Sequence, residues 1–138
     1  MARPNPKKEN DDTTKVIFRY WFPPSREFPW EPKNTNWGNK RMGDKARAQG
    51  AGEVIALFPE IPAGAENHGQ IQSYQHVGQH GPANYWGIIS TSVPATPEDY
   101  AALLKELKQI GYKKIKVYQK ETVQMRWAYD EAERAMKA

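Results

Sequence analysis

Apolar and polar positions break the chain into recognisable elements. Within residues 15–22, Val16, Ile17, Phe18, Tyr20, Trp21 and Phe22 favour a pleated, half-buried surface, so a strand is expected there. Pro23-Pro24 ends it, because proline cannot donate to a ladder. Residues 53–58, Glu-Val-Ile-Ala-Leu-Phe, form a short apolar run that Pro59 should stop, consistent with a buried strand. Residues 70–77 alternate, with Ile71, Ser73, Gln75 and Val77 pointing one way and Gln72, Tyr74 and His76 the other. Residues 78–82 read as a turn-rich loop and residues 85–93 as a further strand. Together, 70–93 is expected to be a hairpin with a long connection.

The clearest helix follows. Thr96 caps it, Pro97 takes the first helical position, and Glu98 and Asp99 complement the dipole in the first turn. Tyr100, Leu103, Leu104, Leu107 and Ile110 recur at helical spacing, and Gly111 closes the element as a left-handed cap. Residues 112–119 alternate Lys114 and Lys116 against Ile115 and Val117, as a half-exposed strand does. Residues 121–138 read as a terminal helix with an apolar stripe of Met125, Ala128, Tyr129, Ala132 and Met136, while Val123 and Trp127 lie off it.

These elements predict an α+β fold: a small, mainly antiparallel sheet of four to five strands, with the 97–110 helix packed on one face and a C-terminal helix added. Residues 1–14 hold two prolines, a mixed charge run and almost nothing to bury, so they read as a disordered tail. The remainder, 15–138, reads as one domain. It contains a long basic loop at 23–52 with four prolines, four glycines and two tryptophans, and a short helix near 40–49.

Composition narrows the chemistry. The 138 residues include no cysteine, which removes disulfides, thiolate metal sites and a cysteine nucleophile. No run approaches a membrane span and the start, Met-Ala-Arg-Pro-Asn-Pro, lacks a signal-peptide pattern, so a cytoplasmic protein with no membrane partner is expected. The net charge of +4 is unevenly spread: residues 1–52 hold 11 Lys/Arg against 6 Asp/Glu, 53–94 none against 3, and 95–138 9 against 7. All three histidines fall in the stretch free of lysine and arginine between Arg47 and Lys105.

A second signal comes from motifs. The segments Val54-Ile-Ala-Leu-Phe-Pro59, Ser73-Tyr-Gln-His-Val-Gly-Gln-His-Gly81, Pro94-Ala-Thr-Pro-Glu-Asp-Tyr100 and Ile110-Gly-Tyr112 resemble a family of small uncharacterised proteins from bacteria and their phages. The likeness spans residues 53–118. It implies an architecture and a phage or mobile-element setting, and no activity. The chain departs from that pattern by adding the basic tail, the 23–52 segment and the terminal helix.

Four groups of residues are candidates for function. His76 and His80, with His68, could supply neutral imidazoles to a metal, zinc being the ion they suit; no other cofactor is expected. Gly78 between the pair argues for strand and turn over a shared helix face, and the alternative is that the rings bond the backbone and pin the hairpin. Tyr74, His76 and His80 could instead serve acid–base catalysis in a small hydrolase, against the alternative of a polar network bracing the sheet. Arg19, Arg26, Lys40, Arg41, Lys45 and Arg47 interleave with Trp30 and Trp37, a pattern suited to stacking bases and following phosphates, or to an acidic protein surface. The alternative there is that Trp21 and Trp30 are core anchors and the charges solvated. On the terminal helix, Trp127 lies outside the apolar stripe and leaves room for a second copy of the chain or a target protein.

The leading expectation is a non-enzymatic binding protein of a phage or mobile element that contacts a host protein or nucleic acid. A metal-dependent or histidine-based hydrolase and a structural component of a larger assembly are the alternatives.

Overall fold

A computed structural model describes residues 13–22, 26, 36–64, 67, 69–75 and 79–137. Strand β1 (Thr13–Trp21) is the axis of the sheet. Val16 through Tyr20 are all buried, because helices cover both faces of this strand and its apolar residues need not alternate with polar ones. The tail expected at 1–14 falls outside the described residues, except that Thr13 and Thr14 open β1.

Helix α1 (Asn36–Ala48) comes next and is longer than the short helix expected near 40–49. It turns the second part of the expected 23–52 loop into regular structure. Arg26 aside, residues 23–35 lie outside the described residues. Gly43 lets α1 approach the sheet, since a Cβ there would sit 2.9 Å from a methyl of Val93.

Strand β2 (Glu53–Pro62) runs antiparallel to β1, with Ile17 opposite Leu57 and Trp21 opposite Glu53. Pro59 does not end it. The proline is fully buried where the register with the next strand shifts between Phe58 and Pro62, an irregularity that tolerates a missing N–H. Strands β3 (Ile71–Gln75) and β4 (Gln79–Ala83) form a tight hairpin pairing Gln75 with Gln79 and Ile71 with Ala83. The segment expected as a loop is therefore an edge strand, a position where Pro82 is acceptable.

The run expected as a strand at 85–93 is instead helix α2 (Tyr85–Ser90) followed by strand β5 (Ser92–Pro94). A short apolar run does not distinguish helix from strand by periodicity. The deciding feature is Asn84, whose side chain accepts from the Gly87 N–H at 3.0 Å and caps the helix. Helix α3 (Pro97–Gln109) matches expectation: Thr96 and Asp99 form a reciprocal capping box, and Gly111 adopts φ 124° beyond its end. Strand β6 (Lys114–Tyr118) and helix α4 (Val123–Lys137) complete the chain.

Among the described residues the sheet has six strands, one more than the upper expectation, in the order β4-β3-β2-β1-β5, and β6 also pairs with β1. One edge of β1 is shared. Arg19 to Trp21 pair antiparallel with β5, while Thr13 to Ile17 pair parallel with β6. Strand alternation divides the core. Val16, Phe18, Phe58 and Tyr74 pack against Leu103 and Leu107 of α3, and Tyr20, Phe22 and Val93 meet Ala46 of α1. On the opposite face Ile17, Leu57 and Ile71 pack against Met125 of α4 and Tyr85 of α2. The apolar stripe of α4 grades from buried Met125 and Ala128, through half-buried Tyr129 and Ala132, to exposed Met136. Among the described residues, no helix is long and apolar enough to cross a membrane.

Candidate functional site

Tyr74 and His80 stand opposite each other across the β3–β4 hairpin, on the face covered by α3. Their rings meet edge to face, with centroids 4.8 Å apart. The hairpin register makes this contact, and two residues that no helix or strand of its own would join become a pair. The Tyr74 hydroxyl donates to the Glu106 carboxylate of α3, and the ring is only 1 % exposed. His80 Nε2 lies 2.9 Å from the Tyr112 hydroxyl, just past the end of α3. Phe58 stacks on Tyr112, with centroids 5.1 Å apart and planes 15° apart. Burial pushes the Tyr112 phenol above its ordinary value, so it stays a neutral hydrogen-bonding group.

This cluster ties β2, β3, β4 and α3 together. Its buried half, Tyr74 with Glu106, is a charge-assisted bond with no room for a substrate at the phenol. Its outer half is exposed His80 beside half-buried Tyr112. Sequence reading found Tyr74 and His80 but missed Glu106 and Tyr112, both 32 residues away from their partners. His68 and His76 lie outside the described residues. Among the described residues no group of three His, Asp or Glu side chains is arranged to hold a metal ion. A groove of about 720 Å³ beside the hairpin is lined by Ile55, Ser73, Gln75, His80, Asn84 and Ile88, among others.

The basic candidates separate into two kinds. Arg19 is 6 % exposed on the α2 side of β1. Its Nε donates to Ser92 Oγ at 2.8 Å, and its Nη2 donates to the Ser92 carbonyl at 2.7 Å and the Ile89 carbonyl at 3.2 Å. The guanidinium closes the end of α2, where unsatisfied carbonyls and the helix dipole take the place of a carboxylate. Burial lowers its pKa to about 10, partly offset by Tyr85, so it remains charged at neutral pH. Arg47 is likewise turned inward. It binds both oxygens of Asp99, reaches Asp44 at 2.7 Å and the Pro94 carbonyl at 3.1 Å, and lies over the Tyr20 ring at 4.7 Å.

Lys40, Arg41 and Lys45 are exposed on α1, and Arg26 is exposed as well. The side chain of Trp37, also on α1, and the whole of Trp30 lie outside what is described. Trp127 is half-buried on α4. The structure thus brings Arg19 and Arg47 into the fold and leaves Lys40, Arg41 and Lys45 on a helix surface.

A further basic surface was not recognised from the sequence. Residues 105–120 contain six lysines, Lys105, Lys108, Lys113, Lys114, Lys116 and Lys120, all exposed. The one acid among them, Glu106, is bound to Tyr74. The signal was present but diluted: counting charge over 95–138 averages these lysines with Asp130, Glu131 and Glu133 of α4. Strand β6 pairs with β1 on the edge that lies away from β2, and α1 packs against β5 on the same edge. No protein-family model, curated protein or solved structure matches this chain.

Proposed function

We propose that the protein is a non-enzymatic binding module whose basic surface holds an acidic macromolecule. The observation that carries this reading is the exposed lysine surface of residues 105–120, whose single acid is engaged in the core. Exposed lysines attract polyanions and speed their encounter. Lys40, Arg41 and Lys45 are further exposed cations, on α1. The phage or mobile-element setting implied by the sequence resemblance would make the partner a host macromolecule, nucleic acid or protein.

The test is a titration of labelled oligothymidine and of an acidic peptide against the protein at several salt concentrations. Binding that weakens as salt rises, and that is lost when Lys113, Lys114 and Lys116 are changed to glutamate, supports the reading. No binding of either probe at low salt rejects it.

A second reading rests on the exposed His80 beside Tyr112, which together could move a proton on a small bound ester or amide. It requires turnover of such a substrate that disappears in His80→Ala and falls in Tyr112→Phe. Turnover surviving both substitutions rejects it.

A further inference from the structure

We propose that the α3 face of the β3–β4 hairpin is a stacking platform for the bases of single-stranded nucleic acid. This rests on the basic-surface reading above and narrows its partner to one class of polyanion. Strand alternation puts His80 and Pro82 of β4 on the face that carries Tyr74, with His80 opposite Tyr74 and Pro82 opposite Gln72. His80 and Pro82 are both exposed.

The imidazole is fixed from behind. Tyr74 meets the His80 ring edge to face, with centroids 4.8 Å apart, and the Tyr112 hydroxyl lies 2.9 Å from His80 Nε2. Tyr112 is itself stacked on fully buried Phe58. These contacts hold the imidazole in one orientation while His80 stays exposed, so an arriving base meets a preset ring and little side-chain freedom is lost. Every base has a π-face, and histidine is among the side chains on which unpaired bases stack. Gln72, half-buried opposite Pro82, adds an amide that can both donate to and accept from a base edge.

Charge stands beside the rings. Lys105 precedes Glu106, which binds Tyr74, and Lys113 follows Tyr112, which binds His80. Each residue that closes the cluster from α3 and the turn beyond it therefore has an exposed lysine next to it in the chain. Phosphates drawn to Lys105 and Lys113 bring the bases of a strand to the ring cluster. An acidic peptide would satisfy the lysines but leave the imidazole and the Gln72 amide unused. A duplex would hide its base faces. A single strand uses most of what this surface presents.

The experiment uses the full chain and three labelled probes: oligothymidine, an abasic oligomer of the same length and charge, and an oligoglutamate of equal charge. Oligothymidine carrying one 2-aminopurine reports stacking through its emission. The variants are His80→Ala, His80→Phe and Lys105→Gln/Lys113→Gln, each checked for unchanged thermal unfolding.

Oligothymidine should bind at least about tenfold more tightly than the abasic oligomer. His80→Ala should lose at least about fivefold in affinity for oligothymidine and change the abasic oligomer by less than about twofold, and His80→Phe should restore most of the loss. Lys105→Gln/Lys113→Gln should weaken both oligomers alike and flatten the slope of log affinity against log salt by about 1.4, two phosphates at about 0.7 each. The 2-aminopurine emission should fall on binding to the parent. Equal binding of oligothymidine and the abasic oligomer, or no loss in His80→Ala, overturns the platform and leaves the basic-surface reading intact. Unchanged 2-aminopurine emission does the same and requires no variant. Tighter binding of oligoglutamate than of oligothymidine also overturns the platform and assigns the surface to an acidic protein. Failure of every probe at low salt overturns both.

Discussion

Arg47 donates from Nε to both carboxylate oxygens of Asp99, at 2.9 and 3.1 Å, and so fastens the last turn of α1 to the first turn of α3. Asp99 is already committed to its own helix, since its carboxylate accepts from the Thr96 N–H at 2.8 Å. One acid therefore serves both a cap and a tertiary ion pair. Asp99→Ala removes both and should cost about 2–3 kcal/mol, whereas Arg47→Met leaves the cap and should cost about 1–2 kcal/mol. Urea unfolding of the two variants and the double variant gives the coupling directly. A coupling energy near zero would show that Arg47 contributes through the Tyr20 ring and the Pro94 carbonyl instead.

Arg19 should be equally intolerant of change, for a different reason. Arg19→Met keeps most of the apolar stem but strips donors from the Ser92 and Ile89 carbonyls and from Ser92 Oγ. Buried acceptors left without partners should make the loss about 2–4 kcal/mol. Arg19→Lys supplies one ammonium where a planar fork made three bonds, and should recover less than half of that loss. Chemical denaturation of both variants checks the order.

Alkali should unfold the protein through its tyrosines. Burial raises the phenols of Tyr20, Tyr85, Tyr112 and Tyr129 above their ordinary value, and Tyr129 is raised further by its bond to Glu133. A folded pKa above the unfolded one means that their contribution is complete below about pH 10 and declines as pH climbs beyond it. Absorbance at the tyrosinate band should therefore lag that of free tyrosine and then rise together with loss of structure. Tyr129→Phe should shift that transition to higher pH. A smooth titration around pH 10 with the fold intact would contradict it.

Gly43→Ala sets two effects against each other. Alanine is favoured over glycine in a helix by about 1 kcal/mol. Its Cβ would sit 2.9 Å from Val93 Cγ2, on a stiff, buried, β-branched side chain that has little room to turn. Overpacking of that kind costs about 1–3 kcal/mol, so the single variant should be neutral to destabilised. Combining it with Val93→Ala makes the space and should show a favourable coupling between the two changes. Additive effects would mean that α1 shifts away from β5 without penalty.

Local chemistry made parts of this protein readable in one dimension. Thr96, Pro97 and Asp99 announce the start of α3, Gly111 its end, and the largely apolar run Val16-Ile17-Phe18 with Tyr20 the central strand, because caps and burial patterns are written within a few residues. The apolar run after Asn84 was ambiguous for the converse reason. Its helix depends on a single cap and on Arg19, 70 residues earlier in the chain, bonding the Ile89 carbonyl at its end. Tyr74 and His80 could be picked out as chemistry-bearing residues, but Glu106 and Tyr112 join them only because α3 crosses the sheet.

Sequence alone determined the residue types, the helix signals of α3 and α4, and a surplus of positive charge, since each is a property of neighbours along the chain. Tertiary structure alone decided which cations face solvent. It turned Arg19 and Arg47 inward onto carbonyls and Asp99, and left the lysines of 105–120 outside. That choice depends on partners brought together by strand pairing and helix packing, and no count of charges along a chain contains it.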